Sequence, residues 1–384
     1  MIPYGRQDIT QADIDAVTEV LKSDFLTQGP KIAEFEEKFA KLCGVKYAVA
    51  LSSCTAALHL ACLALDLKEG ESAWTSPNTF VATSNGALYC GADVDFVDID
   101  PDTWNMSVSA LEEKLIAAEK NGSLPKIVLP VHFAGQSCDM EAIHKLSKRY
   151  NFKIVEDAAH CIGASYKGKP VGTCDYSDMA VFSLHPVKII TSGEGGMITT
   201  NSKETYEKLL RLRTHGITKD PALMAEKDGG AWYFEQQDLG YHYRLTDIQA
   251  ALGISQMDRL DQYIARRREL VERYQSRLAS LPLQLPANIP DSDSSWHIYV
   301  VMLTPEVAKT RREVFDAMRG AGIGVNVHYI PVYRHPYYKE LGFKAADYPE
   351  TEKYYESAIT LPLFPTLTNE QQDYICDTLA GILR

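Results

Sequence analysis

Lys153-Ile154-Val155-Glu156-Asp157-Ala158-Ala159-His160, followed further on by Met179-Ala180-Val181-Phe182-Ser183-Leu184-His185-Pro186-Val187-Lys188 and closed by Glu194-Gly195-Gly196, decides the reading of this chain. Each of the two runs opens on a short apolar stretch rich in β-branched or bulky residues, the pattern of a strand buried on both faces. The first ends on two acids and the second leads to a lysine. Side chains alternate across a strand, so one of Glu156 and Asp157 faces a cleft at the strand's carboxyl end and the other turns away.

Working outward, further β-rich runs lie at Tyr47–Ser52, Asp93–Asp98, Ile127–Phe133 and Gly196–Thr200. They alternate with helical periods at Thr55–Ala64, Ser109–Glu119, Met140–Tyr150 and Lys203–Thr214. Strands and helices alternating at this spacing predict an α/β fold with a mostly parallel sheet covered on both faces, and a site at the strand carboxyl ends. Two amphipathic helices, Gln11–Ser23 and Lys31–Leu42, precede it, separated by the Gly29-Pro30 break. A charge-rich helical period over Thr246–Leu278 reads as a connector. It leads to a smaller α+β unit with strands at Ile298–Leu303 and Val325–His328 and helices at Arg311–Ala321 and Glu370–Leu383. The expected division is therefore a large domain over residues 1–245 and a connecting helix with a small domain over 246–384.

Composition narrows the function classes. A formal net charge of −12 argues against non-specific binding to nucleic acid or to an acidic membrane surface. No run approaches the length of a membrane span, and Met1 to Asp8 builds no export signal, so a cytoplasmic protein is expected. The eight cysteines contain no C-x-x-C pair and read as reduced thiols. With no H-E-x-x-H and no Cys/His set at zinc spacing, no metal site is expected. Gly163-Ala164-Ser165-Tyr166-Lys167-Gly168-Lys169 fits the phosphate-loop pattern except that Pro170 stands where Ser or Thr is needed, and it reads as a turn.

An acid at one strand end and a lysine beyond another are what pyridoxal phosphate chemistry requires. The lysine forms a Schiff base, and the acid keeps the pyridine nitrogen protonated so that the ring accepts electrons. Each residue alone has a plainer reading. Lys188 could be a surface lysine before a hairpin, Asp157 a helix N-cap, and Phe80 a core residue rather than a ring-stacking one. Ser183 and the strand-to-helix junction Ser52-Ser53-Cys54-Thr55-Ala56-Ala57 offer hydroxyls and amides for a phosphate.

Taken together, these segments resemble the DegT/DnrJ/EryC1/StrS sugar aminotransferases, a fold-type I family with a seven-stranded central sheet. The blocks that carry the likeness include Leu26-Thr27-Gln28-Gly29-Pro30, Ser53-Cys54-Thr55-Ala56-Ala57-Leu58, Thr79-Phe80-Val81-Ala82-Thr83, Gly240-Tyr241-His242-Tyr243-Arg244 and Leu361-Pro362-Leu363-Phe364-Pro365. The resemblance implies that Lys188 holds pyridoxal 5'-phosphate, becoming free when the cofactor is pyridoxamine 5'-phosphate, and that Asp157 pairs with the ring nitrogen. It further implies that Phe80 stacks on the ring, His160 lies at its O3′ edge, and Thr55, Ala56 and Ser183 bind the phosphate.

Two positions depart from the family pattern. Cys54 stands where a small Gly or Ala is usual, and His242 where an asparagine reaches the neighbouring subunit's phosphate. A homodimer with shared active sites is implied. Within the family, Thr214–Asp220 and Val327–Tyr333 are most similar to members acting in pseudaminic acid biosynthesis. Those members transfer the amino group of L-glutamate to C4 of UDP-2-acetamido-2,6-dideoxy-β-L-arabino-hex-4-ulose. Tyr4, Thr27, Gln28, His215, His328 and Tyr329 are the expected contacts to the UDP-sugar, although His328 and Tyr329 also fit as plain strand residues. Other readings are a different UDP- or dTDP-ketosugar, or a non-catalytic nucleotide-sugar sensor. A pyridoxamine-dependent dehydratase of the same fold would carry histidine in place of Lys188.

Overall fold

The computed structural model describes residues 1–226, 229–287 and 289–384. Its main sheet has seven strands: β1 Tyr47–Leu51, β2 Ser72–Thr75, β3 Asp93–Phe96, β4 Ile127–Leu129, β5 Lys153–Asp157, β6 Met179–Ser183 and β7 Gly196–Thr200. They lie in the order β1-β7-β6-β5-β4-β2-β3, with β7 antiparallel to both its neighbours and the other pairs parallel. The pleat of β6 explains its apolar run. Met179 and Val181 pack on one face with helices α3 (Cys54–Ala64) and α7 (Lys203–Arg213). Ala180 and Phe182 pack on the other face with α2 (Pro30–Cys43) and the helix beginning at Leu260. Four of its side chains thus leave water on two faces, each Val- or Phe-sized one contributing about 1.5–3 kcal/mol.

Several expectations change. β2 lay outside the strand readings because Ser72-Ala73-Trp74-Thr75 is too short to show a period, yet Trp74 and Thr75 are buried between β3 and β4. β4 stops at Leu129, where Pro130 has no N–H for the ladder and instead accepts from the amide of Asp157 at 2.9 Å. The helical period over Thr246–Leu278 is two helices, α8 (Asp247–Met257) and α9 (Leu260–Leu278). At the break, Arg259 reaches buried Asp13 at 2.6 Å, and Ser255 and Gln256 donate to the same carboxylate. That tertiary anchor leaves no trace in helical periodicity. The phosphate-loop look-alike is a hairpin in which Ser165–Tyr166 pairs with Lys169–Pro170, with Lys167 and Gly168 both in the left-handed region.

The smaller unit is a three-stranded antiparallel sheet of β8 (Leu283–Gln284), β9 (Tyr299–Leu303) and β10 (Ala358–Leu361), packed against α10 (Arg311–Gly320) and the helix Asn369–Leu383. The strand expected at Val325–His328 reduces to a single bridge between Asn326 and Thr360, freeing the segment to turn toward the cleft. The expected units exchange segments. Helix α8 packs on α1 (Gln11–Leu21) and α2 of the larger unit, whereas Ile2 pairs across Gly322–Gly324 of the smaller one. Val332, Tyr333, Tyr338 and Tyr348 return to the core around Phe96, and α9 feeds both cores.

Candidate active site

A cavity of about 500 Å³ opens where the carboxyl ends of β5 and β6 meet the start of α3 and the small unit. Lys188 enters it from the turn after β6, where its amide donates to the His185 carbonyl at 2.9 Å. Its side chain is partly buried and its amine is surrounded by protein. Burial pushes the amine down to about 8, against the opposing pull of the Asp157 carboxylate. Among the described residues it forms no ion pair, so the amine is available for chemistry.

Asp157 ends β5 buried and faces the cavity. Its Oδ1 accepts from the Ala159 amide at 3.1 Å, and its Oδ2 from the Thr83 hydroxyl at 2.6 Å. The local turn reading and the site reading are therefore both met, by different oxygens. Glu156 takes the opposite direction, as the pleat requires. It meets His132 Nε2 at 2.7 Å and accepts from Ser177 at 2.5 Å. The Cys138 amide donates to His132 Nδ1, so Nε2 carries the proton donated to Glu156.

Ser53 caps α3 by accepting from the Ala56 amide at 3.1 Å. Ser53, Cys54 and Thr55 line the cavity at this helix N-terminus, where the first amides lack intrahelical acceptors. Ala56, expected to bind phosphate, is buried with its amide engaged by Ser53 and does not line the cavity. Burial holds the Cys54 thiol protonated. Ser183 completes this end, paired in register with Gly196. A Cβ on Gly196 would stand 2.4 Å from the Ser53 carbonyl oxygen, so only glycine lets β7 run against the turn.

Phe80 flanks the cavity with 60% of its surface exposed, an apolar face open to a ring. His160 Nε2 lies 3.0 Å from the Tyr329 hydroxyl, and its ring is 4.4 Å from that of His297. Burial pushes both histidines well down. His328, with Nδ1 2.8 Å from the Thr360 hydroxyl, is pushed down to about 3 by burial and then by Lys188, and is neutral through the physiological range. Tyr4 packs beside it at 5.3 Å.

Sequence reasoning missed Thr83 and His297. Thr83 stood inside a quoted block without a role, and nothing local to Ser294–His297 distinguishes a cleft residue from the start of a strand. Thr27, Gln28, His215 and His242 do not join Lys188 within one chain. Thr27 bridges to Thr246, Gln28 borders a second cavity of about 250 Å³ with Arg213 and Arg244, and the rings of His215 and His242 lie 5.5 Å apart on the surface.

The residues present fit pyridoxal phosphate. A lysine amine, a carboxylate, an exposed phenyl face and a helix N-terminus converge on one space. His160 Nδ1 beside them is buried and has no hydrogen-bond partner among the described residues. This is the arrangement of a fold-type I pyridoxal phosphate enzyme.

Comparison with known proteins agrees. The profile of the DegT/DnrJ/EryC1/StrS aminotransferase family matches residues 7–380, and the chain belongs to that family. The UDP-4-amino-4,6-dideoxy-N-acetyl-beta-L-altrosamine transaminase of Campylobacter jejuni subsp. jejuni serotype O:23/36 is 39% identical over 384 residues, covering 100% of this chain and 98% of that one. The spore coat polysaccharide biosynthesis protein SpsC of Bacillus subtilis is 38% identical over 387 residues, covering 100% and 97%. The structure of Helicobacter pylori PseC, an aminotransferase involved in the biosynthesis of pseudoaminic acid, superposes with a TM-score of 0.90 at 29% identity, covering 100% and 99%. The chain is a pyridoxal phosphate-dependent sugar aminotransferase, and solved relatives include both PLP and PMP forms.

Proposed function

We propose that this enzyme transfers the amino group of L-glutamate to C4 of a UDP-linked 4-keto-6-deoxy-N-acetylhexosamine, UDP-2-acetamido-2,6-dideoxy-β-L-arabino-hex-4-ulose, in the cytoplasm, as a step toward pseudaminic acid. The observation that carries the chemistry is the pair of Lys188, amine pushed down to about 8, and Asp157 lining one cavity. The sugar assignment draws support from the names of the Campylobacter and Helicobacter relatives.

Bound at this site, pyridoxal phosphate supplies the electron sink that lets an amino group and a proton leave the donor. Lys188 would hold the cofactor and, when its amine is free, would serve as the base that takes up and gives back the proton; a well-placed base of this kind contributes about 10²–10⁴-fold. Asp157 would keep a proton on the ring nitrogen through a charge-assisted bond. Ser183, Thr55 and the first turn of α3 would hold the phosphate, Phe80 would cover the ring, and His160 would lie beside it. Tyr4, His328 and Tyr329, from the small-unit side, contact the sugar. Thr27, Gln28, His215 and His242 serve the second subunit's site in a homodimer, with His242 donating where the family's asparagine does.

The test is incubation of the purified enzyme with glutamate and a panel of UDP- and dTDP-4-ketosugars, with products identified by mass and NMR. The expected result is amination at C4 of the L-arabino UDP-ketosugar in preference to the others. Preference for a dTDP-sugar or a different epimer would overturn the assignment.

A further inference from the structure

Asp157 and Thr83 stand 74 residues apart in sequence and meet in the interior at 2.6 Å, both almost wholly buried. A second hydroxyl continues the line, since Thr79 Oγ1 lies 2.8 Å from Thr83 Oγ1 and is buried too. Thr83 has one proton and three acceptors in reach: the Asp157 carboxylate at 2.6 Å, the Thr79 hydroxyl oxygen at 2.8 Å and the Phe80 carbonyl at 3.2 Å. The shorter contact to the charged group takes it. The Thr83 oxygen then has lone pairs free, and the Thr79 hydroxyl donates to one of them. With the Ala159 amide on Oδ1, each carboxylate oxygen carries one donor, and the plane of the group is fixed.

The placement follows from the chain. Thr79 and Thr83 are one helical turn apart at the entry to α4 (Ala82–Leu88), and Phe80 lies between them. One turn of backbone thus presents an apolar face to the cavity and, on its inner side, a pair of hydroxyls to the acid. All four side chains border the same cavity.

We infer that Thr83, backed by Thr79, is a positioning residue that aims the Asp157 carboxylate at the cofactor's ring nitrogen. The inference rests on the proposed pairing of Asp157 with that nitrogen. Without the Thr83 hydroxyl, Oδ2 loses a buried donor, and the carboxylate rotates toward whatever donor remains.

The test compares binding of two ligands to apoenzyme: pyridoxal phosphate and its 1-deaza analogue, in which C–H replaces the ring nitrogen. Thr83→Val is expected to weaken pyridoxal phosphate about tenfold, the scale of one hydrogen bond to a charged group, and to leave the deaza analogue unchanged. Thr83→Ser restores wild-type binding, and Thr79→Val gives a smaller loss with the same selectivity. Equal weakening of both ligands, as a merely structural role for Thr83 would give, overturns the inference, and so does no weakening of either. Asp157→Asn on the same two ligands separates the layers. If it fails to discriminate between them, the pairing of Asp157 with the ring nitrogen falls; if it discriminates and Thr83→Val does not, only the positioning role falls. Should Thr83→Val fold poorly, Thr79→Val and Thr83→Ala, checked by thermal melt, carry the same comparison.

Discussion

Lys188 shows how one residue's chemistry is set by where the fold ends a strand. Burial pushes its amine down to about 8, with the Asp157 carboxylate pulling the other way. A base with a lowered pKa is neutral above that value, and the neutral amine is the nucleophile. The rate at which apoenzyme takes up pyridoxal phosphate is therefore expected to rise about tenfold per pH unit below 8 and to level above it, followed by visible absorbance. An ordinary lysine would keep gaining toward about pH 10.4. Asp157→Asn removes a charge that favours the ammonium form, so its plateau begins at lower pH. A profile still climbing at pH 10 would contradict the burial argument. At this scale the sequence was partly legible. Asp157, Lys188, Ser183 and Phe80 announced themselves by strand-end position or by block, whereas Thr83 and His297 acquire a role only through partners distant in sequence, which no local pattern encodes.

Among elements, the junction of β1 with α3 and the start of β7 form one mechanical part. Gly196 opens β7 against the Ser53–Cys54 backbone, where a Cβ would meet the Ser53 carbonyl oxygen at 2.4 Å and the Cys54 nitrogen at 2.7 Å. Backbone cannot rotate away as a flexible side chain can, so Gly196→Ala pushes the turn out of place. The expected outcome is a loss of about 1–3 kcal/mol in stability, the usual range for overpacking, read by denaturant midpoint, together with weaker cofactor binding. Cofactor affinity that stays at the wild-type value would show that the turn is not what Gly196 protects. Element order was readable because strands buried on both faces leave continuous apolar runs. β2 escaped at four residues, and the α8–α9 break escaped because Arg259 and Asp13, 246 positions apart, make it.

For the whole molecule, the open question posed by the fold is why four expected site residues sit on the surface. Gln28 borders the second cavity together with Thr214, whose neighbour His215 is exposed and whose bridge partner is exposed His242, and Thr27 precedes Gln28 on the surface. In the proposed homodimer a second copy of the chain would give this face a use, with His242 reaching the phosphate end of the site built around the other subunit's Lys188, and a closed two-fold dimer would hold two such sites. Subunit mixing tests this directly. Lys188→Ala removes the amine from one class of subunit, and His242→Glu places a negative charge against the phosphate in the other. Each homodimer should be nearly inactive. After the two are unfolded and refolded together, half the dimers are mixed and each holds one site with both residues intact, so activity should recover to about a quarter of wild type. If each site lay within a single chain, every site in the mixture would carry one lesion, and mixing would restore nothing.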